Sequence, residues 1–271
     1  MKKQIGVLAA AAATSTLLFC GQAWADFKLN MPVGVTTTSR EVYSLHMFVF
    51  WVCVVIGVLV YGLMIYAIVS FRKSKGATAA TFSHNRKLEV VWTTIPAVIL
   101  ILLAIPSART LVEINDTRNP DLTVKITGYQ WRWQYDYIDD NVRFYSTLDR
   151  KSNAARRPGS GIDPNTVENY LLDVDRPLVV PVNAKVRLLV TAADVIHSWW
   201  VPAFAVKRDA VPGYINEAWF KATEEGTFRG QCAELCGMDH GFMPIVVRVV
   251  SKDEYQRWLA EQQAPALTRA Q

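Results

Sequence analysis

The sequence has no long basic run with interleaved aromatic residues, so nothing in it favours a nucleic-acid ligand. No internal repeat is evident either. Cysteine and histidine are scarce, with four of each among 271 residues. A metal site made of thiolates and imidazoles therefore has few positions to draw on.

Charge is absent from two long apolar runs, residues 42–71 and 90–108. At a rise of about 1.5 Å per residue, each is long enough to cross a hydrocarbon core of about 30 Å. The two prolines of the second run, Pro96 and Pro106, are tolerated in membrane helices as kinks. We therefore predict transmembrane helices over 42–71 and 89–112.

Acidic residues are missing from the connection at 72–88, whereas five basic residues lie there: Arg72, Lys73, Lys75, Arg86 and Lys87. By the positive-inside rule this loop faces the cytoplasm, and the chain on both sides of the helical hairpin faces outward.

The N-terminus resembles a secretory signal peptide, with two lysines before an apolar stretch and the A-x-A site Ala23-Trp24-Ala25. We predict a signal peptide at 1–25 and an outward-facing segment at 26–41. The alternative is a lipoprotein signal acylated at Cys20, which the bulky Phe19 disfavours.

From about Leu122 the composition changes to short β-rich segments separated by turn residues, which indicates an antiparallel sandwich or barrel. This domain is predicted over 113–260, and it is close to neutral. Residues 150–165 have the composition of an exposed loop or insertion. The piece KDEYQRWLAEQQ predicts a short helix, and 261–271 a tail.

The stretch FRGQCAELCGMDHGFMPIVV, residues 228–247, places two cysteines, a histidine and a methionine close together. An oxidising compartment makes a disulfide the first alternative. Zinc accepts Cys and His but is poorly served by the thioether of Met. Covalent haem needs C-x-x-C-H, which is absent here.

Soft thiolates, imidazole and a weak methionine ligand on a loop between two strands favour a copper site of the cupredoxin type. Two thiolates, Cys232 and Cys236, could bridge two copper ions that share one electron. His240 and Met243 follow on the same loop. The β domain has only one other histidine, His197, which follows the predicted strand VRLLVTA.

These motifs resemble subunit II of haem–copper cytochrome c oxidase, which carries a binuclear copper A centre. The resemblance covers about residues 40–260 and rests on VVWTTIPAVILILLAIPS, GYQWRWQYDY, DVIHSWWVPAFAVKRDAVPG and QCAELCGMDHGFMPI. It implies a two-helix transmembrane hairpin followed by an all-β cupredoxin-like Greek-key sandwich. The copper ligands it implies are His197, Cys232, the carbonyl of Glu234, Cys236, His240 and Met243.

The resemblance also implies further sites. The side chain of Glu234 would help bind magnesium at the interface with subunit I, and Trp131 would accept electrons from cytochrome c. Glu89, three residues before Trp92, would lie at the entrance of a proton path into subunit I. Since the partner cytochrome is basic, acids would surround the docking site: Asp136, Asp139, Asp140, Asp173 and Asp194.

In GYQWRWQYDY five aromatic residues alternate, and a regular strand would place all of them on one face. Some of them, Trp133 included, are expected to belong to the sandwich core.

The implied function is transfer of electrons from cytochrome c through copper A to subunit I, where haem resides, oxygen becomes water and protons are pumped. The implied partners are subunit I, subunit III, cytochrome c and the lipid of a bacterial inner membrane. Two alternatives remain: a quinol oxidase subunit II, which lacks the copper ligands, and a membrane-anchored copper carrier. Nitrous oxide reductase carries copper A on a much larger soluble chain.

Overall fold

The computed structural model describes residues 30–269, with side chains described as far as residue 263. The predicted signal peptide at 1–25, with its cleavage site and Cys20, lies outside the described residues.

Two long helices come first, α1 (Thr37–Ser70) and α2 (Arg86–Ile114). A capping box begins α1: the Ser39 amide donates to Thr36 Oγ1, and Ser39 Oγ accepts from the Thr36 amide, both at 2.9 Å. Asn85 caps α2 through its side-chain oxygen. Both helices are long and apolar enough to cross a membrane, as predicted.

Ten strands follow in the described chain, and they form a sandwich of two five-stranded sheets. The strands are β1 (Leu122–Tyr129), β2 (Arg132–Tyr137), β3 (Val142–Ser146), β4 (Leu178–Pro181), β5 (Val186–Ala192), β6 (His197–Val201), β7 (Val206–Ala210), β8 (Asn216–Phe220), β9 (Gly226–Cys232) and β10 (Pro244–Val250). Their order is β3-β2-β1-β5-β8 in one sheet and β4-β10-β9-β6-β7 in the other.

The β-sandwich prediction is confirmed, but its purely antiparallel character is wrong. β1 pairs in parallel with β5, and β10 pairs in parallel with β4. Two parallel strands must be joined by a long crossover rather than a tight turn, and no local sequence pattern predicts such a crossover. The segments between β1 and β5 and between β4 and β10 supply these crossovers.

The aromatic segment GYQWRWQYDY does not form one strand. The chain reverses at Gln130 and Trp131, so that Tyr129 of β1 stands opposite Arg132 of β2 in an antiparallel pair. Trp133, Tyr135 and Tyr137 alternate on the inner face of β2 and are fully buried, in line with the period of a strand. Trp131 is only partly buried, at the turn. The expectation of one continuous aromatic face therefore fails at the turn.

The segment 150–165 is not simply an exposed loop. It begins with the short helix α3 (Arg150–Ala155), in which Ser152 and Ala155 are buried. Asp149 caps α3 by accepting the amide protons of Lys151 and Ser152. The prediction missed α3 because its first two residues are basic and only two of its residues are buried, so that its composition is that of an exposed loop. The final helix, α4 (Lys252–Arg269), contains the predicted helical piece and continues into the segment predicted as a tail, so it is longer than expected.

The helical hairpin is joined to the sandwich by specific contacts within the unit formed by residues 33–271. Thr36 Oγ1 donates to the carbonyl of Phe204 over 3.0 Å. The indole nitrogen of Trp219 donates to the carbonyl of Glu113, at the end of α2, over 3.1 Å. The segments before α1 and at the end of α2 are thus both fixed against the β domain.

Candidate metal centre

The loop between β9 and β10 carries most of the predicted ligands. Its two ends are held together, because the Cys232 amide donates to the carbonyl of Met243 over 3.2 Å. Inside the loop, residues 240–242 form a single 3₁₀ turn, and the Phe242 amide donates to the Asp239 carbonyl over 2.9 Å. The antiparallel pairing of the flanking strands therefore fixes a compact loop at one end of the sandwich.

The two cysteine sulfurs face each other without bonding. Cys232 Sγ and Cys236 Sγ are 3.9 Å apart, and both side chains are buried. A disulfide requires about 2.05 Å, so both are free thiols. The disulfide alternative is therefore not the state that the structure describes.

His197 brings an imidazole to the cysteines from the neighbouring strand. It is fully buried at the start of β6, and its Nδ1 lies 3.9 Å from Cys232 Sγ. Donor atoms of His197, Cys232 and Cys236 lie within 4.8 Å of one another, which is close enough for shared metal ligation. His197 follows the strand VRLLVTA, as expected, and it is itself the first residue of β6.

The other predicted ligands approach the same sulfurs. His240 Nδ1 lies 3.5 Å from Cys236 Sγ, and the Glu234 carbonyl oxygen lies 3.4 Å from Cys232 Sγ. Met243 is buried at the end of the loop. Glu234 itself is exposed.

The imidazole of His197 packs so closely against β1 that residue 128 must be glycine. A Cβ built on Gly128 of β1 would approach His197 Cδ2 to 2.8 Å, and real Cβ contacts of that length are essentially never seen. The imidazole thus rests directly on the backbone of the opposite sheet, with the edge of Trp133 against its ring at a centroid distance of 5.9 Å.

Asp194 holds the far side of the imidazole. Its Oδ1 accepts a hydrogen bond from His197 Nε2 at 2.9 Å, and its Oδ2 accepts from the Gln130 amide at 2.7 Å. Such a partner fixes the tautomer, leaving Nδ1 directed at the sulfurs. Burial would raise the pKa of the Asp194 carboxyl, but these hydrogen bonds outweigh burial and lower it.

The two thiols differ in acidity. Burial would raise the pKa of Cys232, but hydrogen bonds with His197 and with the backbone at Glu234 bring it below the ordinary value. Burial raises the pKa of Cys236, and the negative charge on Cys232 raises it further. Two thiolates 3.9 Å apart repel each other, so the pair is well suited to a cation that neutralises both.

Two side chains from the β1–β2 turn contact the loop at one atom. Trp131 Nε1 and Gln130 Nε2 both donate to the carbonyl oxygen of Cys236, at 3.2 and 2.9 Å. A Cβ on Gly237 would come within 3.1 Å of both side chains, so the glycine permits this close approach. The structure thus brings Trp131 to the backbone of a cysteine in the cluster.

The five acids predicted for docking have different surroundings. Asp136 accepts from Arg143 in an ion pair, and Asp173 lies 3.6 Å from Arg229. Asp140 Oδ2 accepts from the Tyr255 hydroxyl, Asp139 is exposed, and Asp194 is bound to His197. Four of the five acids are therefore engaged by a partner within the domain, whereas Asp139 is exposed.

Glu89 lies in the first turn of α2, far along the chain from the cysteine cluster. It lines an open cleft of about 560 Å³ together with His84, Arg86, Val90, Thr93 and Thr94. A carboxylate here also interacts favourably with the N-terminal end of the helix.

Three side chains at the site were not foreseen in these roles. Asp194 was expected at a docking surface, yet it binds His197, and its i, i+3 spacing is a signal that could have indicated this. Gln130 lies beside Trp131, and no sequence pattern indicated that it would contact the ligand loop. Arg156 forms an ion pair with Asp239, next to His240, across 83 residues of sequence.

Comparisons with known proteins agree with this architecture. The family model described as "Cytochrome C oxidase subunit II, periplasmic domain" matches residues 122–250, and the model for the transmembrane domain of the same subunit matches residues 24–110.

Relatives with the same description cover most of the chain. A probable cytochrome c oxidase subunit 2 of Rickettsia bellii is 41% identical over 222 residues, which are 82% of this chain and 79% of the relative. Subunit 2 of Cereibacter sphaeroides is 39% identical and covers 84% of this chain and 78% of the relative. The solved periplasmic domain of subunit II from Bradyrhizobium japonicum is 45% identical, with a TM-score of 0.47, over 55% of this chain and 98% of that one. By the two family models and the relatives about 40% identical to it, the chain belongs to the cytochrome c oxidase subunit II family.

Proposed function

We propose that this chain accepts electrons from cytochrome c at a binuclear copper A centre and passes them to subunit I of a haem–copper oxidase. The observation that carries this proposal is the buried convergence of Cys232, Cys236 and His197, with the imidazole of His240 3.5 Å from Cys236 Sγ. A copper carrier would need an exposed site that releases its metal, whereas these thiols are buried.

The donor set fits copper better than zinc. Two thiolates and two imidazoles are soft to intermediate ligands, and the buried Met243 offers a thioether that zinc uses poorly. The carbonyl oxygen of Glu234, 3.4 Å from Cys232 Sγ, completes the proposed ligands. When bound, the copper pair would supply a one-electron centre whose change of charge is shared between two ions.

The protein's own groups hold the His197 ligand rigidly. His197 is held by Asp194 at Nε2 and packed against Gly128, so its ring has little freedom to turn. Fixed ligands reduce the rearrangement that accompanies a change of charge, which is the general advantage of a preorganised site.

Trp131 is the proposed point where electrons enter. Its indole lies at the turn of the β1–β2 hairpin, partly exposed, and donates to the carbonyl of Cys236 over 3.2 Å. This contact supports a short path from a docked donor to the cysteine sulfur. Asp136, Asp139, Asp140, Asp173 and Asp194 would contribute negative charge that attracts a basic cytochrome.

The membrane arrangement is proposed from the helices and their charges. The basic connection between α1 and α2 would face the cytoplasm, and the sandwich would face the periplasm of a bacterial inner membrane. The apolar, exposed faces of α1 and α2 would contact lipid, subunit I and subunit III.

Two further sites of the proposal would lie at the interface with subunit I, which alone holds haem. The exposed Glu234 side chain would share a magnesium ion with subunit I. Glu89, in its open cleft, would receive protons that the complex uses or pumps.

The test is spectroscopic. Full-length chain purified in detergent is loaded with copper, and its EPR spectrum is recorded. A seven-line mixed-valence spectrum is expected from an electron shared by two coppers. A four-line mononuclear spectrum, or no retained copper, would refute the assignment of a binuclear copper A centre. Cys236→Ser should abolish the seven-line spectrum, whereas Cys53→Ser in α1 should leave it unchanged.

A further inference from the structure

The loop with the proposed ligands is held from outside by Arg156, a residue of the segment between β3 and β4. Its guanidinium forms two parallel hydrogen bonds to Asp239, from Nη1 to Oδ1 and from Nη2 to Oδ2, each 3.1 Å long. The same guanidinium lies 4.3 Å from the ring centroid of Phe242. Arg156 thus contacts the residue before His240 and the residue before Met243.

Arg156 is itself firmly placed. Its Nε donates to Asn153 Oδ1 over 2.8 Å, which orients the plane of the guanidinium. The helix that precedes it, α3, is anchored through Ser152, whose side chain is fully buried and whose Oγ accepts from the Leu171 amide at 3.3 Å. The amide of Asp149, which caps α3, donates to the carbonyl of Asp173 over 3.0 Å. The segment between β3 and β4 is therefore braced by its own hydrogen bonds where it supports the ligand loop.

The loop needs such a support, because few internal hydrogen bonds fix its last part. The His240 amide donates to Gly237 over 3.2 Å, and the Phe242 amide donates to Asp239 over 2.9 Å. His240 is only partly buried, in contrast to the fully buried His197. Burial and Asp194 hold His197, whereas His240 lies in a single 3₁₀ turn that the Asp239 carbonyl and the Phe242 amide close.

We propose that Arg156 is a positioning residue that fixes His240 and Met243 for metal ligation, and that the Arg156–Asp239 pair balances charge beside the site. The inference rests on the proposed copper function. Both side chains of the pair are about three-quarters buried, with exposed fractions of 25% and 22%, so the pair is screened less than a surface pair. A bidentate guanidinium that also covers an aromatic ring is not replaceable by lysine.

The first measurement needs no metal. Hydrogen exchange of the metal-free full-length chain in detergent is compared for wild type, Arg156→Gln and Arg248→Gln. Arg248 pairs with Glu254 at 2.8 Å and serves as the matched control. Arg156→Gln should speed exchange of the His240 and Phe242 amides by about tenfold, while Arg248→Gln leaves them unchanged. Equal exchange in all three proteins would overturn the proposal.

The second measurement uses copper. Arg156→Gln and Arg156→Lys should each weaken copper retention against a competing chelator by about 10- to 100-fold, as loss of a ligand's support does. Arg248→Gln should bind as wild type does. Circular dichroism of each metal-free variant confirms folding, and Asp239→Asn provides an independent probe of the same pair if Arg156→Gln does not fold.

The reduction potential separates charge balance from mere looseness. Arg156→Gln leaves Asp239 unpaired beside the site, which favours the more positive oxidised state and lowers the potential. Asp239→Asn leaves the cation unpaired and raises the potential, and the double variant returns it towards the wild-type value. Shifts of the same sign in both single variants would overturn the proposal. Failure of the wild type to bind copper would refute the proposed function instead. The exchange measurement needs no copper, so it tests the role of Arg156 separately.

Discussion

The indole nitrogen of Trp131 donates a hydrogen bond to the carbonyl oxygen of Cys236, over 3.2 Å. The two residues lie 105 positions apart in the chain, and the β1–β2 turn brings them together. Because the sulfur of Cys236 belongs to the buried cluster, this bond links a partly exposed aromatic ring to the candidate metal centre by a single contact.

We expect Trp131→Gln to slow reduction by cytochrome c by about tenfold or more, which is about 1.4 kcal/mol in activation free energy. The EPR spectrum of the copper-loaded chain should stay unchanged, since Trp131 supplies no ligand. Stopped-flow reduction measures the rate. Trp131→Phe keeps an aromatic ring but cannot donate to Cys236, so it shows how much the hydrogen bond itself matters. Unchanged fast reduction in Trp131→Gln would mean that electrons enter elsewhere.

Asp194 should matter more for copper binding than for docking. Replacing it with alanine removes the acceptor of His197 Nε2 and of the Gln130 amide. We expect copper affinity to fall by about 10- to 100-fold, as is usual for the partner of a ligating histidine. Asp194→Asn keeps an oxygen acceptor, so its copper affinity should lie between those of the wild type and Asp194→Ala. Asp139→Ala, at an exposed acid, is the control. A chelator competition in which Asp194→Ala matches this control would contradict the prediction.

Gly128 should tolerate no side chain. A Cβ there would meet His197 Cδ2 at 2.8 Å and the ring carbon Cγ at 3.0 Å, with a fully buried imidazole unable to retreat. We expect Gly128→Ala to cost about 1–3 kcal/mol of unfolding free energy and to displace the Nδ1 ligand atom. Gly241→Ala is the matched control, since nothing lies within 4 Å of its Cβ. Thermal unfolding of the metal-free chain, followed by copper titration, measures both effects. Equal melting temperatures for the two variants would exclude the steric argument.

Glu217 should make stability depend on pH. Its carboxylate accepts from Arg187 and from Thr117 Oγ1, the latter at 2.6 Å, and these bonds lower its pKa from the ordinary value of 4.5. A lowered folded-state pKa contributes stability that is present above pH 4.5 and is lost as pH falls through the folded value.

Glu217→Gln should therefore destabilise the chain by about 0.5–1 kcal/mol at pH 7, a small effect because the carboxylate is partly exposed. The difference from wild type should shrink below pH 4. Urea unfolding at several pH values measures this, with Glu225→Gln as an exposed control. A difference that stays constant with pH would refute the assignment of this stability to the carboxylate.

Local patterns were enough to predict the two apolar helices, because membrane thickness sets a length that an uncharged run either meets or does not. Residue type and spacing were enough to predict that Cys232, Cys236 and His240 lie close together, because they are four residues apart on one short loop. The ends of the elements were less accessible. Thr36 and Ser39 begin α1 outside the apolar run, since a capping box is made by polar residues.

Contacts between distant parts of the chain were decided only by the tertiary structure. The turn at Gln130 and Trp131, the parallel pairing of β1 with β5, and the support of the ligand loop by Arg156 join segments whose pairing no local spacing encodes. The sequence by itself determined which atoms could ligate a metal. Only the folded sandwich determined which neighbours hold those atoms in place, because hydrogen bonds and packing depend on proximity in space and not on order along the chain.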